Sequence, residues 1–186
     1  MRQIIDIFFA LLLTIILTPL MLLIAISIKS LSPGPVLFWS KRVGKNGKIF
    51  LMPKFRTMDS NAPIVATHLL KNPNEYVSKI GAFLRKYSLD ELPQLISVLF
   101  GKMAFVGPRP ALYNQYDLIK MRKDKKIDEI LPGITGLAQV NGRDSLSIAQ
   151  KVYYDEEYAR NQSLFLDFLI ILKTLISVFR KKGISH

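Results

Sequence analysis

The chain has 186 residues, 49% of them hydrophobic, and a net charge of +12. This length suits one domain, and the positive charge favours anionic partners such as phosphates, nucleotides, acidic lipid or nucleic acid. The sequence contains no cysteine and two histidines, His68 and His186. Disulfides, thiol nucleophiles and cysteine-ligated zinc sites are therefore excluded, and carboxylates must carry most proton transfer and metal binding.

An uncharged run covers residues 7–28. At ~1.5 Å per residue, a helix of this length can cross a ~30 Å hydrocarbon core. Pro19 complicates this interpretation, because proline removes a backbone hydrogen bond and commonly kinks a helix. Two topologies stay open: a kinked single span, and a re-entrant helix–break–helix hairpin in which Thr14 or Thr18 satisfies carbonyls freed near the break.

Positive charge follows this run. Between positions 29 and 60 the single acid is Asp59, and the basic residues are Lys29, Lys41, Arg42, Lys45, Lys48, Lys54 and Arg56. A basic segment directly after a hydrophobic one favours the cytoplasmic, anionic face of a membrane. We therefore expect the body of the protein to lie in the cytoplasm against that face.

The segments after this run predict a mixed α+β fold that is mostly helical. Residues 36–39 and 48–52 predict two strands, joined by a hairpin turn at 44–47 that contains Asn-Gly. Helices are predicted over 76–86, 88–100 and 112–121, and residues 131–143 are predicted to form a structured loop. Near the C-terminus, apolar residues recur at helical spacing over 165–179 and precede Arg180-Lys181-Lys182. This pattern suits an interfacial amphipathic helix, and an ordinary core helix is the alternative.

Two adjacent acids, Asp90 and Glu91, follow Ser88 at a predicted helix start. Ser88 and Glu91 match a capping box, in which serine and glutamate satisfy the first free N–H groups. Asp90 would then lie at the positive end of the helix dipole, which favours an ionised carboxylate. An ionised, fixed aspartate can act as a nucleophile or as a Mg²⁺ ligand. A well-capped helix start without any chemistry is the alternative.

Five segments together resemble the bacterial sugar transferase family, the monotopic polyprenyl-phosphate phosphoglycosyl transferases. In chain order they are 54–58 (KFRTM), 85–94 (RKYSLDELPQ), 106–110 (VGPRP), 132–143 (PGITGLAQVNGR) and 158–161 (YARN). The resemblance covers essentially the whole chain, and its length is similar to that of the smallest members. It implies a membrane hairpin over residues 1–30 and a catalytic domain over 31–186 at the cytoplasmic face of the bacterial inner membrane.

The resemblance also implies a reaction. Sugar-1-phosphate passes from a UDP-sugar to undecaprenyl (polyprenyl) phosphate, and UMP is released. By position, Asp90 would be the nucleophile that forms a phosphosugar-aspartyl intermediate, with Mg²⁺ nearby and Glu91 as its partner. The family's re-entrant segment usually breaks at a Ser-Pro pair, which corresponds here to Thr18-Pro19. This correspondence favours the hairpin, with membrane phospholipid as a further partner.

Several basic and amide side chains are candidate ligands for the phosphates, base or sugar. Arg109 lies between two prolines that fix its backbone, and a guanidinium suits bidentate phosphate contact. Arg85 precedes Asp90 closely enough to reach the same cleft. The further candidates are Lys54, Arg56, Arg143, Gln139 and Asn141. For each of these a surface or turn-forming role is the alternative, and for Asp155 and Glu156 solvated charge is the simpler interpretation.

Three other functions stay open. A basic, membrane-tethered binding module would have the same charge and apolar ends, but it would not need paired acids. A one-step transferase would use Asp90 only to hold Mg²⁺. Nucleic-acid binding is disfavoured, because the sequence has no groove-reading motif and no aromatic platform for single strands.

Overall fold

The computed structural model of the chain describes residues 2–59 and 76–180. Its α-helices are α1 (Arg2–Leu31), α2 (Lys79–Lys86), α3 (Leu95–Leu99), α4 (Tyr116–Asp124), α5 (Leu137–Val140), α6 (Ile148–Arg160) and α7 (Leu164–Arg180). The strands are β1 (Leu37–Val43), β2 (Ile49–Phe55), β3 (Ala104–Val106) and β4 (Gly133–Thr135). Short 3-10 helices lie at Lys45–Gly47, Leu89–Gln94, Ile127–Glu129 and Arg143–Ser145. The predicted α+β class, mostly helical, is confirmed. Lys181 and Lys182, which belong to the basic cluster after the predicted C-terminal helix, lie outside the described residues.

Helix α1 is continuous and contains Pro19. Within the described part of the chain, it is the helix that is long and apolar enough to cross a membrane. The Thr14 hydroxyl donates to the Ala10 carbonyl at 2.7 Å, and the Thr18 hydroxyl donates to the Thr14 carbonyl at 2.6 Å. Proline deprives the carbonyl four residues earlier, that of Ile15, of its donor. Neither threonine hydroxyl bonds to the Ile15 carbonyl, so the predicted satisfaction of this freed carbonyl by Thr14 or Thr18 is wrong. Hydroxyl bonds of the kind that they do form commonly bend a helix.

Both halves of α1 pack on the rest of the protein. Ala10, in the first half, is buried in one apolar cluster with Phe50 and Met52. Ile24 and Ile28, in the second half, are buried in another cluster, whose other buried members are Phe55 and Leu84. The opposite side of the helix is exposed and apolar, and includes Ile4, Phe8, Leu12, Ile15, Ile16, Leu22, Leu23 and Ile26. Helix α1 thus contacts the body along its length and leaves an apolar face uncovered.

Strands β1 and β2 form the predicted hairpin, with Ser40 opposite Met52. Asn46 and Gly47 in the turn have φ values of 56° and 71°, the left-handed conformation that Asn and Gly tolerate best. Both strands are longer than the sequence predicts. Side chains alternate along β2, so Phe50 and Met52 enter the core and Lys54, two residues on, emerges at the same face.

The single helix predicted over 88–100 is wrong, because the segment folds as a 3-10 helix followed by α3. The predicted capping box is also wrong. Ser88 has φ 55°, in the left-handed region, and its side chain makes no capping hydrogen bond. Pro93 lies inside the 3-10 helix and brings no N–H for a helical bond. A serine cap does exist one helix earlier, where Ser78 accepts from the Gly81 N–H at 3.0 Å.

Residues 131–143 contain more regular structure than the predicted loop. Strand β4 pairs in parallel with β3, which the sequence analysis missed, and α5 follows. The pairing requires a very close approach of two backbones. A Cβ atom at Gly133 would lie 2.1 Å from the Gly107 nitrogen, and one at Gly136 would lie 2.1 Å from the Gly107 carbonyl oxygen. Glycine at these positions therefore brings the 106–110 segment against residues 133–136.

Helix α7 forms as predicted and presents an exposed apolar face. Ile170 is buried, whereas Phe165 and Phe168 are 71% and 61% exposed. The Arg2 guanidinium at the start of α1 pairs with Asp167 of α7. The Arg2 guanidinium also donates to the Tyr158 hydroxyl of α6 at 2.7 Å. These contacts hold the first turn of α1 against α6 and α7.

Candidate active site

Asp90 and Glu91 lie on the first turn of the 3-10 helix and are both buried, with 9% and 8% of their surface exposed. Burying a charged carboxylate is costly unless cations or hydrogen bonds compensate it. Strand β2, helix α2 and the 106–110 segment each bring a basic side chain to this pair. The structure thus brings together five of the residues selected from the sequence: Asp90, Glu91, Lys54, Arg85 and Arg109.

Glu91 forms the ion pairs of this cluster. Its Oε1 accepts from Lys54 Nζ at 2.7 Å and from an Arg109 guanidinium nitrogen at 2.8 Å. Burial alone would raise the pKa of Glu91, but Arg109, Lys54 and Arg143 together hold it well below its ordinary value of 4.5. Glu91 is therefore the member of the pair whose ionised form the cluster stabilises. Glu91 holds Lys54 and Arg109 in place, and it does not act as the helix-capping residue that the sequence predicts.

Asp90 differs from its neighbour. Burial raises the pKa of Asp90 above its ordinary value of 3.8, and the charge of Glu91 raises it further. The charges of Lys54, Arg85 and Arg109 oppose this shift without reversing it. Between described residues, the ion pairs of the cluster go to Glu91 and none goes to Asp90.

The sequence analysis expected a helix dipole to favour the ionised form of Asp90, but burial is the largest influence on the pKa of this carboxyl and raises it. A carboxylate whose charge is poorly compensated is stabilised most strongly when an electrophile or a cation approaches it. This is the electrostatic condition expected of a nucleophile or a metal ligand.

Arg85 and Lys54 are held in place around Asp90. Arg85 lies in the last turn of α2, and its Nε donates to the Thr57 hydroxyl at 2.9 Å. Lys54 is buried, and this burial lowers its pKa while the charge of Glu91 opposes the shift. Two cations supplied by different elements thus flank one carboxyl whose pKa is raised.

The Arg109 backbone is fixed by two other arginines. Arg122 donates to the Arg109 carbonyl at 2.8 Å, and Arg42 donates to the Pro110 carbonyl at 3.0 Å. Arg122 is held in turn by Asp155, whose Oδ2 accepts from its Nε at 3.0 Å and from a terminal nitrogen at 2.6 Å. Because Asp155 is 1% exposed, the prediction of solvated charge at this residue is wrong.

Sequence reasoning missed the Arg122–Asp155 pair, although a signal for it exists. Asp155 lies three residues from the buried Val152 and three from the buried Tyr158, on the inner face of α6. Arg122 belongs to a charged stretch that looks like solvated surface, yet it is buried. A carboxylate on the apolar face of an amphipathic helix indicates a buried basic partner.

Two predicted substrate ligands, Arg56 and Asn141, have structural hydrogen-bond partners. The Arg56 guanidinium donates to the carbonyls of Pro33 and Ser32, at 2.6 and 2.8 Å, and so fastens the chain that leaves α1. The Asn141 side chain donates to the Leu137 carbonyl at 2.8 Å, at the end of α5. Glu156 pairs with Lys125 and Arg160 at the surface.

A cavity of about 640 Å³ is lined by Glu91 of the acidic pair, whereas Asp90 is not among its lining residues. Glu91, Arg109, Arg143 and Gln139 line one part of it. Arg143 has φ 52°, a left-handed conformation that orients the end of the 132–143 segment. Among the residues that the structure describes, neither polar atom of the buried Gln139 amide has a hydrogen-bond partner. The cavity therefore combines cationic side chains with an amide that is unpaired within the described part of the chain.

The expected Mg²⁺ would depend on few protein ligands. The described residues contain no group of three acids or histidines that could hold a metal ion. Glu91 Oε1 is already bonded to Lys54 and Arg109. Asp90 remains as a carboxylate donor, and Mg²⁺ commonly binds through one or two carboxylates together with substrate phosphates and water. The donor set fits a magnesium ion that arrives with a diphosphate substrate.

Comparison with known proteins gives one consistent result. A family model described as "Bacterial sugar transferase" matches residues 1–181. The chain is 36% identical to the "Exopolysaccharide production protein ExoY" of Sinorhizobium fredii, over 96% of this chain and 85% of that protein.

Two longer relatives carry names that state a reaction. The chain is 41% identical, over 96% of its length, to the "UDP-glucose:undecaprenyl-phosphate glucose-1-phosphate transferase" of Escherichia coli K12. It is 35% identical, over 98% of its length, to the "Undecaprenyl-phosphate galactose phosphotransferase" of Salmonella typhimurium. The chain spans 40% and 41% of these two proteins.

Proposed function

The chain belongs to the bacterial sugar transferase family, and we propose that it moves sugar-1-phosphate from a UDP-sugar to undecaprenyl (polyprenyl) phosphate with release of UMP. The observation that carries this proposal is the unequal pair of buried acids, in which Glu91 is ionised and holds Lys54 and Arg109 while Asp90 has a raised pKa. The names of the longer relatives support the substrate classes, since both contain undecaprenyl phosphate.

We propose a two-step route through Asp90. A carboxylate oxygen of Asp90 attacks the phosphorus that bears the sugar, and the bond to the UMP oxygen breaks. A phosphate oxygen of the lipid then attacks the same phosphorus, the bond to Asp90 breaks, and the carboxylate is restored. Arg109 and Lys54, already fixed by Glu91, can stabilise charge on the phosphate oxygens without further reorganisation.

A bound Mg²⁺ would supply charge neutralisation on those oxygens. In this proposal Asp90 is the protein residue that contacts it, and Arg85 keeps a positive charge beside the carboxyl before the metal and substrate arrive. The role of Glu91 is to orient cations. Replacing it should therefore misplace Lys54 and Arg109 rather than remove the attacking group.

Mass spectrometry can test the covalent step. The purified protein would be incubated with a UDP-sugar and Mg²⁺ without lipid acceptor, digested, and searched for sugar-phosphate mass on the peptide that contains Asp90. We expect the adduct in the native protein and none in Asp90→Asn. An unmodified peptide under conditions in which UMP is released on adding lipid would indicate direct transfer, with Asp90 acting only as a metal ligand.

A screen of UDP-sugars tests the reaction itself. The relatives' names contain two different sugars, glucose and galactose, so the screen should include both and their 2-acetamido forms. UMP release that requires polyprenyl phosphate supports the proposal. Failure with every donor, combined with membrane binding that survives Asp90→Asn, would favour the binding module instead.

The monotopic arrangement is part of the same proposal. Arg2, at one end of α1, pairs with Asp167, and Ile28, near the other end, is buried against the body. A helix whose two ends contact one body is most simply placed with both ends on the same side of the membrane. Its exposed apolar face, together with that of α7, would then enter the lipid.

Cysteine labelling can test this topology, because the chain contains no cysteine of its own. Gln3→Cys and Ser30→Cys place one thiol at each end of α1. We expect a membrane-impermeant maleimide to label both from the cytoplasmic side only. Labelling of one position from each side would show that α1 spans the bilayer.

A further inference from the structure

A polar cluster joins the first turn of α1 to α6 and α7. Arg2 donates to the Tyr158 hydroxyl at 2.7 Å and pairs with Asp167. The Tyr158 hydroxyl lies 2.8 Å from Asp167 Oδ1, and Tyr158 is 2% exposed. Each of these three side chains belongs to a different helix, and the proposed reaction does not use any of them.

The Tyr158 hydroxyl also contacts the segment that carries Arg109. It donates to the Val106 carbonyl at 3.0 Å, at the end of β3. Burial raises the pKa of Tyr158, and the Asp167 carboxylate raises it further, so the hydroxyl keeps its proton. A neutral hydroxyl has one proton to donate and can also accept. It therefore accepts from Arg2 and shares its proton between the two neighbouring oxygens.

A second side chain of α1 reaches β3. Asp6 lies four residues after Arg2, and residues four apart are neighbours on one face of a helix. The Asp6 carboxyl interacts with the charges of Arg2 and Asp167 and with the backbone N–H of Phe105. The start of α1 thus acts on two successive residues of β3, on Phe105 through Asp6 and on Val106 through the hydroxyl that Arg2 orients.

The backbone between Val106 and Arg109 is stiff enough to transmit a displacement. The Gly107 N–H and the Pro108 carbonyl both bond to the backbone of β4, at 2.9 and 3.0 Å. The proline ring also fixes φ at Pro108. A change in the position of Val106 should therefore move Arg109, whose guanidinium lies 2.8 Å from Glu91 Oε1.

We propose that Tyr158 is a positioning residue for Arg109, and that the first turn of α1 acts on the candidate active site through it. The inference rests on the proposed function, in which Arg109 stabilises charge on the phosphate oxygens. Buried polar networks are rigid when every member is satisfied. A displaced α1 would take Arg2 from the hydroxyl and Asp6 from β3, and would loosen the segment that carries the cation.

Removal of one hydroxyl tests the proposal. Tyr158→Phe should lower kcat about tenfold, the effect of one typical hydrogen bond. The KM for each substrate should change by less than about twofold, because Arg109 stays paired with Glu91 and loses only its alignment with charge that develops in the transition state. Tyr153→Phe removes the same group from an exposed position of α6 and should resemble the native protein.

A double-mutant cycle separates positioning from a general structural role. Arg109→Lys keeps a positive charge but loses the planar guanidinium. If Tyr158 acts through Arg109, adding Tyr158→Phe to Arg109→Lys should lower kcat by less than about twofold. A further loss of about tenfold would show that the hydroxyl acts elsewhere, and the proposal would be overturned.

Hydrogen exchange followed by mass spectrometry gives a readout that needs no turnover, and it decides the question if Arg109→Lys is inactive. In Tyr158→Phe and in Asp6→Ala, the peptide covering 104–112 should exchange faster than in the native protein, and the β1–β2 hairpin should exchange as before. Unchanged exchange over 104–112, or faster exchange throughout the chain, would refute the positioning role.

The outcomes separate this inference from the proposed function. If the native protein transfers no sugar phosphate from any donor, the proposed function fails, and the exchange of 104–112 still shows whether Tyr158 and Asp6 hold the Arg109 segment. If the native protein transfers normally and Tyr158→Phe keeps its kcat, the proposed function stands and the positioning role is wrong.

Discussion

Replacing each of the adjacent acids by its amide should change the stability of the protein in opposite directions. Asp90→Asn removes a charge whose burial is poorly compensated, so the protein should be as stable as the native chain or more stable. Glu91→Gln removes the charge that Lys54 and Arg109 share, and leaves both cations without their counter-ion. Both variants should lose transfer activity, and stability is the measurement that distinguishes them.

The size of the Glu91→Gln effect follows from the burial of its partners. Breaking a buried ion pair costs about 3–5 kcal/mol. The Lys54 side chain is 14% exposed, but that of Arg109 is 31% exposed and partly screened by water, which favours the low end, about 3 kcal/mol. For a chain of this length, that loss corresponds to a fall of ~6–12 °C in the unfolding midpoint.

The pH dependence of stability should also differ between the two acids. Asp90 has a raised pKa in the folded protein, so its contribution to stability is present below 3.8 and is lost as the pH rises through the folded value. Glu91 has a lowered pKa, so its contribution is present above 4.5 and is lost as the pH falls through the folded value. The stability lost in Glu91→Gln should therefore become smaller as the pH falls below 4.5, and any stability gained in Asp90→Asn should increase as the pH rises above 3.8.

Thermal unfolding in detergent with EDTA measures these effects without a divalent cation near Asp90. UMP release with Mg²⁺ gives the activity of the same preparations. If Asp90→Asn lowers the midpoint as much as Glu91→Gln does, Asp90 is an ordinary member of the ion-pair network. The electrostatic reasoning that separates nucleophile from partner would then be refuted.

Two other perturbations have equally definite outcomes. Asp155→Ala should cost about 3–5 kcal/mol in unfolding free energy and reduce turnover beyond the unfolded fraction, because Arg122 no longer fixes the Arg109 carbonyl. Glu156→Ala is its control on the next residue and should leave both measurements unchanged, since its ion pairs lie at the surface. Deletion of residues 1–31 should give an aggregated chain rather than a soluble active body, as judged by size exclusion and circular dichroism, and a folded active fragment would contradict the packing argument.

The sequence predicted those turns and helices whose conformation depends on residues that are neighbours in the chain. Asn46-Gly47 specifies the hairpin turn because those residue types tolerate positive φ, and the strands on either side are confirmed. The helical spacing of apolar residues over 165–179 likewise predicted helix α7, which is confirmed. In both places the decisive residues are neighbours in the chain.

Prediction failed where a distant partner decides the local structure. Ser88 and Glu91 match a capping box, yet Glu91 bonds to Lys54 and Arg109, which lie 37 and 18 residues away. Those charge-assisted contacts outweigh a helix cap, which is worth ~1 kcal/mol. The parallel β3–β4 pair was missed for a related reason, since three-residue strands show no periodicity and their pairing depends on Gly107 and Gly133 meeting in space.

Helix α1 and the strand that carries Lys54 to the candidate active site share one apolar cluster, so residues far apart in the chain depend on each other. Ala10 of α1 packs in the same cluster as Met52 of β2, and Lys54, two residues further along that strand, bonds to Glu91. A displacement of α1 would therefore move β2 and, through it, the cation that compensates the acidic pair. The same helix lines the cavity through Leu13 and Leu17. The position of α1 and the geometry of the site are thus properties of a single packed unit.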